Sequence, residues 1–153
     1  MFGRRHMEQR AFLCRLCGIE LTDFLSPADQ QALLFRRGEA AVPYGYYVRI
    51  SRPSSYREFV SESSADQYTS PDGDEVAFAT GDYLVNSESV RYRMSRGAAY
   101  GCCGPQPRGE ANAVCANGHE VGTVHGDECW SPLVFRLLGA AVEVVTVGGE
   151  GEQ

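Results

Sequence analysis

Six cysteines and three histidines carry most of the chemistry open to this chain. Cys102, Cys103, Cys115 and Cys129 fall between residues 100 and 132, together with His119, His125 and the only tryptophan, Trp130. Cys14 and Cys17 stand far upstream, in a C-x-x-C-G pattern. Thiolate and imidazole are preferred zinc ligands, and four of them close a structural site. The upstream pair and the downstream cluster therefore read as two halves of one zinc site. Gly18, directly after Cys17, suits a tight knuckle whose backbone amides point at the sulfurs. Residues 115–119, C-A-N-G-H, have a similar shape, but Asn117 and Gly118 stand where a second cysteine is expected. Asparagine is a poor zinc ligand beside thiolates. The expected ligands are Cys14, Cys17, Cys115 and Cys103, the last set among glycines that allow close backbone approach. His119 ranks equally with Cys103 as the fourth ligand, followed by Cys129 and then Cys102.

Other chemistries fit these residues less well. A redox C-x-x-C needs its first cysteine at a helix N-terminus, and no helical pattern starts at Cys14. Cys102 and Arg108 match C-x(5)-R, a phosphatase spacing that needs a loop of phosphate-cradling amides. Pro105 and Pro107 remove two of those amides. Cys115, His119 and Asp127 are types that form a nucleophile, base and orienter, but nothing in their spacing demands it. A catalytic zinc needs an open coordination position and a base such as Glu120 or Glu128, and no H-E-x-x-H is present. Cys129 beside Trp130 equally suits a buried apolar role. The runner-up to a zinc site is a thiol redox protein or enzyme using the vicinal Cys102 and Cys103, whose flanking glycines ease a strained disulfide.

These residues need elements to position them. Ser26 reads as an N-cap, Pro27 as a first helical residue and Asp29 as completing a capping box. Residues 28–37 are therefore expected to form one clear N-terminal helix, ended by Gly38. Residues 44–50, 75–79, 83–85, 120–124, 133–138 and 142–147 read as strands. Residues 52–74, rich in Ser, Asp and Pro, read as a long surface loop. Asn86 is expected to cap a short helix that runs through residue 90 to residue 94. The fold class that follows is α+β, mostly β: a small zinc-stapled antiparallel sheet with one N-terminal helix. It forms a single domain over residues 1–153, with residues 1–9 and 148–153 frayed. A metal shared between the two halves closes a loop of more than ~85 residues, which stabilises by restricting the unfolded chain.

Composition narrows the function. The chain has 153 residues, enough to bury a core, and 17 glycines favour short strands and turns. Its net charge of −6 argues against nucleic-acid binding, although all 14 basic residues are arginines. No run approaches the ~18 apolar residues of a membrane span, and no signal peptide is evident. A cytoplasmic location is expected, where thiols serve metal or redox chemistry rather than disulfides.

The motifs resemble those of an uncharacterised group of small bacterial proteins with an N-terminal C-x-x-C-G. That group also has a C-terminal signature similar to G-C-C-G…N-x-x-C-x-C-G-x-E-V-G-T…D-C-W. The matching residues are G-C-C-G at 101–104, Asn112, Cys115, Gly118, E-V-G-T at 120–123 and C-W at 129–130. Asn117 stands where that signature has a cysteine. A looser likeness links the chain to zinc ribbons and to β-tent zinc-binding domains, and implies an architecture only. The expectation is a non-enzymatic, zinc-binding module. Its partner is a protein or small ligand, met by the tyrosines at residues 44–47 or by the polar loop.

Overall fold

The computed structural model describes residues 9–29, 40–55, 77–96, 111–125 and 134–147. Eleven strands cross these residues: β1 (Gln9–Cys14), β2 (Ser26–Ala28), β3 (Tyr46–Arg49), β4 (Ser54–Ser55), β5 (Ala77–Phe78), β6 (Tyr83–Val85), β7 (Arg93–Met94), β8 (Ala113–Val114), β9 (Glu120–His125), β10 (Val134–Leu137) and β11 (Val142–Val147). Seven of them form one sheet in the order β2-β3-β6-β10-β9-β8-β7, while β1 pairs with β11 and β4 with β5.

The apolar residues explain this arrangement. Tyr47 and Val48 at the centre of β3 and Tyr83, Leu84 and Val85 of β6 are all buried, so this part of the sheet is covered on both faces, while Tyr46 and Arg49 at the ends of β3 are exposed. Phe12 of β1 meets Tyr83 and Tyr47 edge-on, with ring centroids 4.7 and 5.7 Å away. Tyr92 meets Phe135 of β10 in the same way at 4.8 Å. One buried cluster thus joins the β1 hairpin to the large sheet, and Cys14 and Cys115 belong to it.

Asn112 shows how a short strand is extended by a side chain. It is buried just before β8. Its Oδ1 accepts the Val124 N–H at 2.8 Å and its Nδ2 donates to the Val124 carbonyl at 3.0 Å. The amide therefore satisfies both backbone groups of a β9 residue, as a neighbouring strand would.

The expected N-terminal helix is overturned. Among the described residues no helix reaches seven residues, and the only helical pieces are single 3₁₀ turns at Ser87–Ser89 and Gly139–Ala141. Ser26 and Pro27, read as a cap and first helical turn, instead form β2, parallel to β3 with Ser26 opposite Tyr46 and Ala28 opposite Val48. The Ser26 N–H donates to the Gly45 carbonyl. Proline is tolerated because β2 is an edge strand, where its missing N–H costs little. Residues 30–39, the rest of the expected helix, lie outside the described residues.

Asn86 does cap, accepting the Glu88 N–H at 2.8 Å, but it opens one 3₁₀ turn rather than a helix through residue 94. Arg93 and Met94 then pair with β8 as a strand. Gln9, expected to fray, begins β1 and pairs with Val147. The expected loop holds β4 at its start, and residues 56–76 lie outside the described residues.

Candidate metal centre

Two short turns face each other at the end of the core. The first follows β1. The Cys14 N–H donates to the Ile19 carbonyl at 2.9 Å and the Gly18 N–H returns to the Cys14 carbonyl at 2.7 Å. A bridge between Leu13 and Glu20 holds its base. The second turn joins β8 to β9. There the Cys115 N–H donates to the His119 carbonyl at 2.8 Å and the Gly118 N–H to the Cys115 carbonyl at 2.9 Å. Both turns place glycine at positive φ, Gly18 at 76° and Gly118 at 87°. That left-handed geometry is costly for a residue with a Cβ, so glycine is what lets each chain fold back within so few residues.

The turns bring together Cys14, Cys17, Cys115 and His119. Their ligand atoms all lie within 4.8 Å of one another, close enough to hold a metal ion. Cys17 Sγ is 3.8 Å from Cys115 Sγ. His119 Nδ1 is 3.5 Å from Cys115 Sγ and 3.7 Å from Cys14 Sγ. The sulfur–sulfur separation is far beyond the ~2.05 Å of a disulfide, and all three cysteines are free thiols. Cys14 and Cys115 are buried, His119 is half-buried and Cys17 is exposed.

Asn117 stands beside this set without entering it. Its backbone N–H donates to Cys115 Sγ and its Nδ2 donates to Cys17 Sγ, each at 3.3 Å. Donors aimed at sulfur favour the thiolate. The Asn117 amide, followed by the Ile19 backbone, accordingly lowers the Cys17 thiol to about 6. Burial pushes the Cys115 thiol up, but hydrogen bonds from the backbone of His119 and Asn117 outweigh it and leave it lowered. Burial dominates at Cys14 and raises its thiol. Hydrogen bonds to Cys17 and then Cys115 raise the His119 imidazole. Cys17, Cys115 and His119 are thus all shifted towards their charged forms, while Cys14 is shifted towards the neutral thiol.

Arg15, inside the first turn, ties it to the far end of the chain. Its Nη2 donates to the Val142 carbonyl at 2.9 Å and its Nε to the Ala140 carbonyl at 3.2 Å. Sequence reasoning did not give this arginine a role. Its position between two C-x-x-C cysteines, where its backbone also continues the β1–β11 ladder to Ala141, is the signal that was there to find.

Cys103, Cys102 and Cys129, the other candidate ligands, lie outside the described residues, as do Arg108, Asp127, Glu128 and Trp130. His125 is the last residue of β9. Glu120 is exposed at the start of that strand. No protein-family model, curated protein or solved structure matches the chain.

Proposed function

We propose that this chain is a zinc-binding module whose ion is held by Cys14, Cys17, Cys115 and His119 as a closed structural site. The observation that carries the reading is the size of the ligand set. Zinc sits ~2.3 Å from sulfur and ~2.0–2.1 Å from imidazole nitrogen, so a tetrahedral site has edges of about 3.8 Å between sulfurs and about 3.6 Å between sulfur and nitrogen. Three of the six separations, 3.8, 3.5 and 3.7 Å, match those edges, and all six lie within 4.8 Å. Three soft thiolates with one imidazole select zinc over hard cations such as magnesium or calcium. Asn117 supplies outer hydrogen bonds of the kind that orient ligands and tune their basicity. Four protein ligands leave no open position for a substrate, which supports a structural ion rather than a catalytic one.

The rest of the molecule supports a binding role. An open groove of about 640 Å³ lies against both turns, lined by Ile19, Glu20, Arg91, Tyr92, Arg93 and Ala116. Tyr44 and Tyr46 are exposed on another part of the surface, whereas Tyr47 belongs to the core. The partner is a protein or a small ligand that meets one of these surfaces, and the metal holds the groove walls in place.

Mass spectrometry of the purified chain under native and then acid-denaturing conditions tests the metal. One zinc per chain, lost on denaturation, is the expected result. A chain that carries no metal and takes up none from added zinc ends the proposal.

A further inference from the structure

β11 is V-E-V-V-T-V, and its residues 143–146 are all exposed although it runs beside the buried β1. Only one of its edges is paired among the described residues. Hydrogen-bond parity identifies the groups on the other edge. Arg10, Phe12 and Cys14 of β1 bond away from β11, to Leu25, Leu21 and Ile19. Gln9, Ala11 and Leu13 therefore turn towards β11, opposite Val147, Val145 and Glu143. The N–H and C=O groups of Val144 and Thr146 then point outward. Further back, Arg15 covers that outer edge by bonding the Val142 carbonyl. The open stretch thus starts at Val144.

From Val144 onward, this edge lacks the usual protections among the described residues. It carries no proline and no bulge, and no lysine occurs in the chain. Val144 and Val145 stay 37% and 40% exposed, a high value for β-branched residues in a strand.

We propose that the outer edge of β11 pairs antiparallel with β11 of a second copy of this chain, with the twofold axis at Val145. The hydrogen-bonding parity and the charges select this register. Val144 and Thr146 must lie opposite outward-facing residues of the partner strand, so the residue numbers across the pair must sum to an even value. Centring on Glu143 sets two carboxylates face to face, which is unfavourable. Centring on Val144 requires Val142, whose carbonyl Arg15 already occupies, and centring on Thr146 sets Val144 opposite residue 148, past the end of the strand. Centring on Val145 exchanges both groups of Val144 with Thr146 of the partner subunit and the reverse. Val145 then faces Val145 of the partner subunit, and Glu143 faces a valine. The product is a four-stranded sheet, β1-β11 continued across the axis. So short a contact belongs to the small-area class of interfaces, so the association is weak and concentration-dependent.

Sedimentation velocity over a concentration series tests it. The wild-type chain is expected to shift from monomer towards dimer as concentration rises. Val145→Lys and Val145→Glu each place like charges across the axis and weaken association at least tenfold. An equimolar mixture of the two variants restores it, which also shows that both fold. A wild-type chain that remains monomeric at its highest soluble concentration overturns the proposal. So does a dimer that persists in both single variants, or a mixture that stays monomeric.

Discussion

The two turns that meet at the candidate metal centre share a hydrogen-bonding scheme but divide the ligands differently. Each begins with a buried cysteine whose N–H spans the turn and whose carbonyl receives a glycine N–H. The first turn encloses four residues between Cys14 and Ile19, the second only three between Cys115 and His119. Measured from the glycines, Asn117 occupies the place of Cys17. The second turn therefore supplies its other donor two residues later, from His119. Asn117 becomes a hydrogen-bond donor to sulfur instead. The difference shows that the backbone scheme sets where ligands can stand, and that a shortened turn keeps a four-donor set by redistributing roles. Three thiolates and one imidazole around a dication also leave one net negative charge, against two for four thiolates.

Breaking either turn tests whether they act as one site. Cys115→Ser removes a buried ligand and should abolish stoichiometric zinc. With zinc at about a thousand times Kd, the loss is about 4 kcal/mol of unfolding free energy, read by denaturant titration. Chelating the wild-type chain should lower it to the same value. If chelation leaves the stability unchanged, the two turns are held without metal.

A double change sharpens the comparison by making the second turn resemble the first. His119→Ala should weaken zinc binding by more than tenfold. Asn117→Cys on that background should recover at least part of the loss, because residue 117 already reaches Cys17. Competition with a chromophoric chelator measures both. No recovery at all would mean that the shorter turn cannot present a ligand at that position.

Smaller effects come from the glycines. Gly18→Ala and Gly118→Ala should each cost ~1–2 kcal/mol, because positive φ strains any residue with a Cβ. The two values should be similar: a Cβ at Gly18 meets nothing within 4 Å, and one at Gly118 meets only Arg93 Nη2 at 4.0 Å. Thermal unfolding of the two variants in parallel decides whether the turns are equally constrained.

The last difference leaves stability nearly untouched. In metal-free protein, Cys17 should alkylate at half its maximal rate near pH 6, where its lowered thiol titrates. Above that pH it is thiolate and reactive; below it the rate falls. Cys14, buried and raised, should resist up to alkaline pH. Added zinc should protect both. Mass spectrometry of alkylated peptides across a pH series gives the two curves.

Much of the sheet is legible in the sequence where apolar residues run together without competing signals. β3, β6, β9, β10 and β11 lie where clusters of Val, Tyr, Leu and Phe are bounded by turn residues. β2 is hidden because Ser26, Pro27 and Asp29 imitate a helix start, and only pairing with a strand 20 residues away, Ser26 with Tyr46, decides otherwise. β7 and β8 are two residues each, too short for any period to show. β1 was obscured by its own cysteine, since the segment from Ala11 reads first as a ligand-bearing turn. At the candidate site, Cys14, Cys17 and Cys115 are visible from their types and spacing. His119 could not be separated from Cys103 by sequence alone, because the choice depends on where a five-residue hairpin loop closes. Arg15 was missed for the same reason: its partners at residues 140 and 142 are close to it only after folding.

The pairing of β1 with β11 has a consequence for biosynthesis. Cys14 and His119 are 105 residues apart, and Cys17 and Cys115 are 98 apart. At ~5–20 residues per second of translation, the first two thiols wait ~5–20 s for the second turn to be made. β1 waits longer still, because its partner strand is the last one described. Throughout that interval the nascent chain presents a strand whose β11-facing edge is unpaired and which leads into C-x-x-C. Ribosome-bound chains stalled before residue 115 should therefore be the ones that chaperones hold and that thiol reagents label most readily.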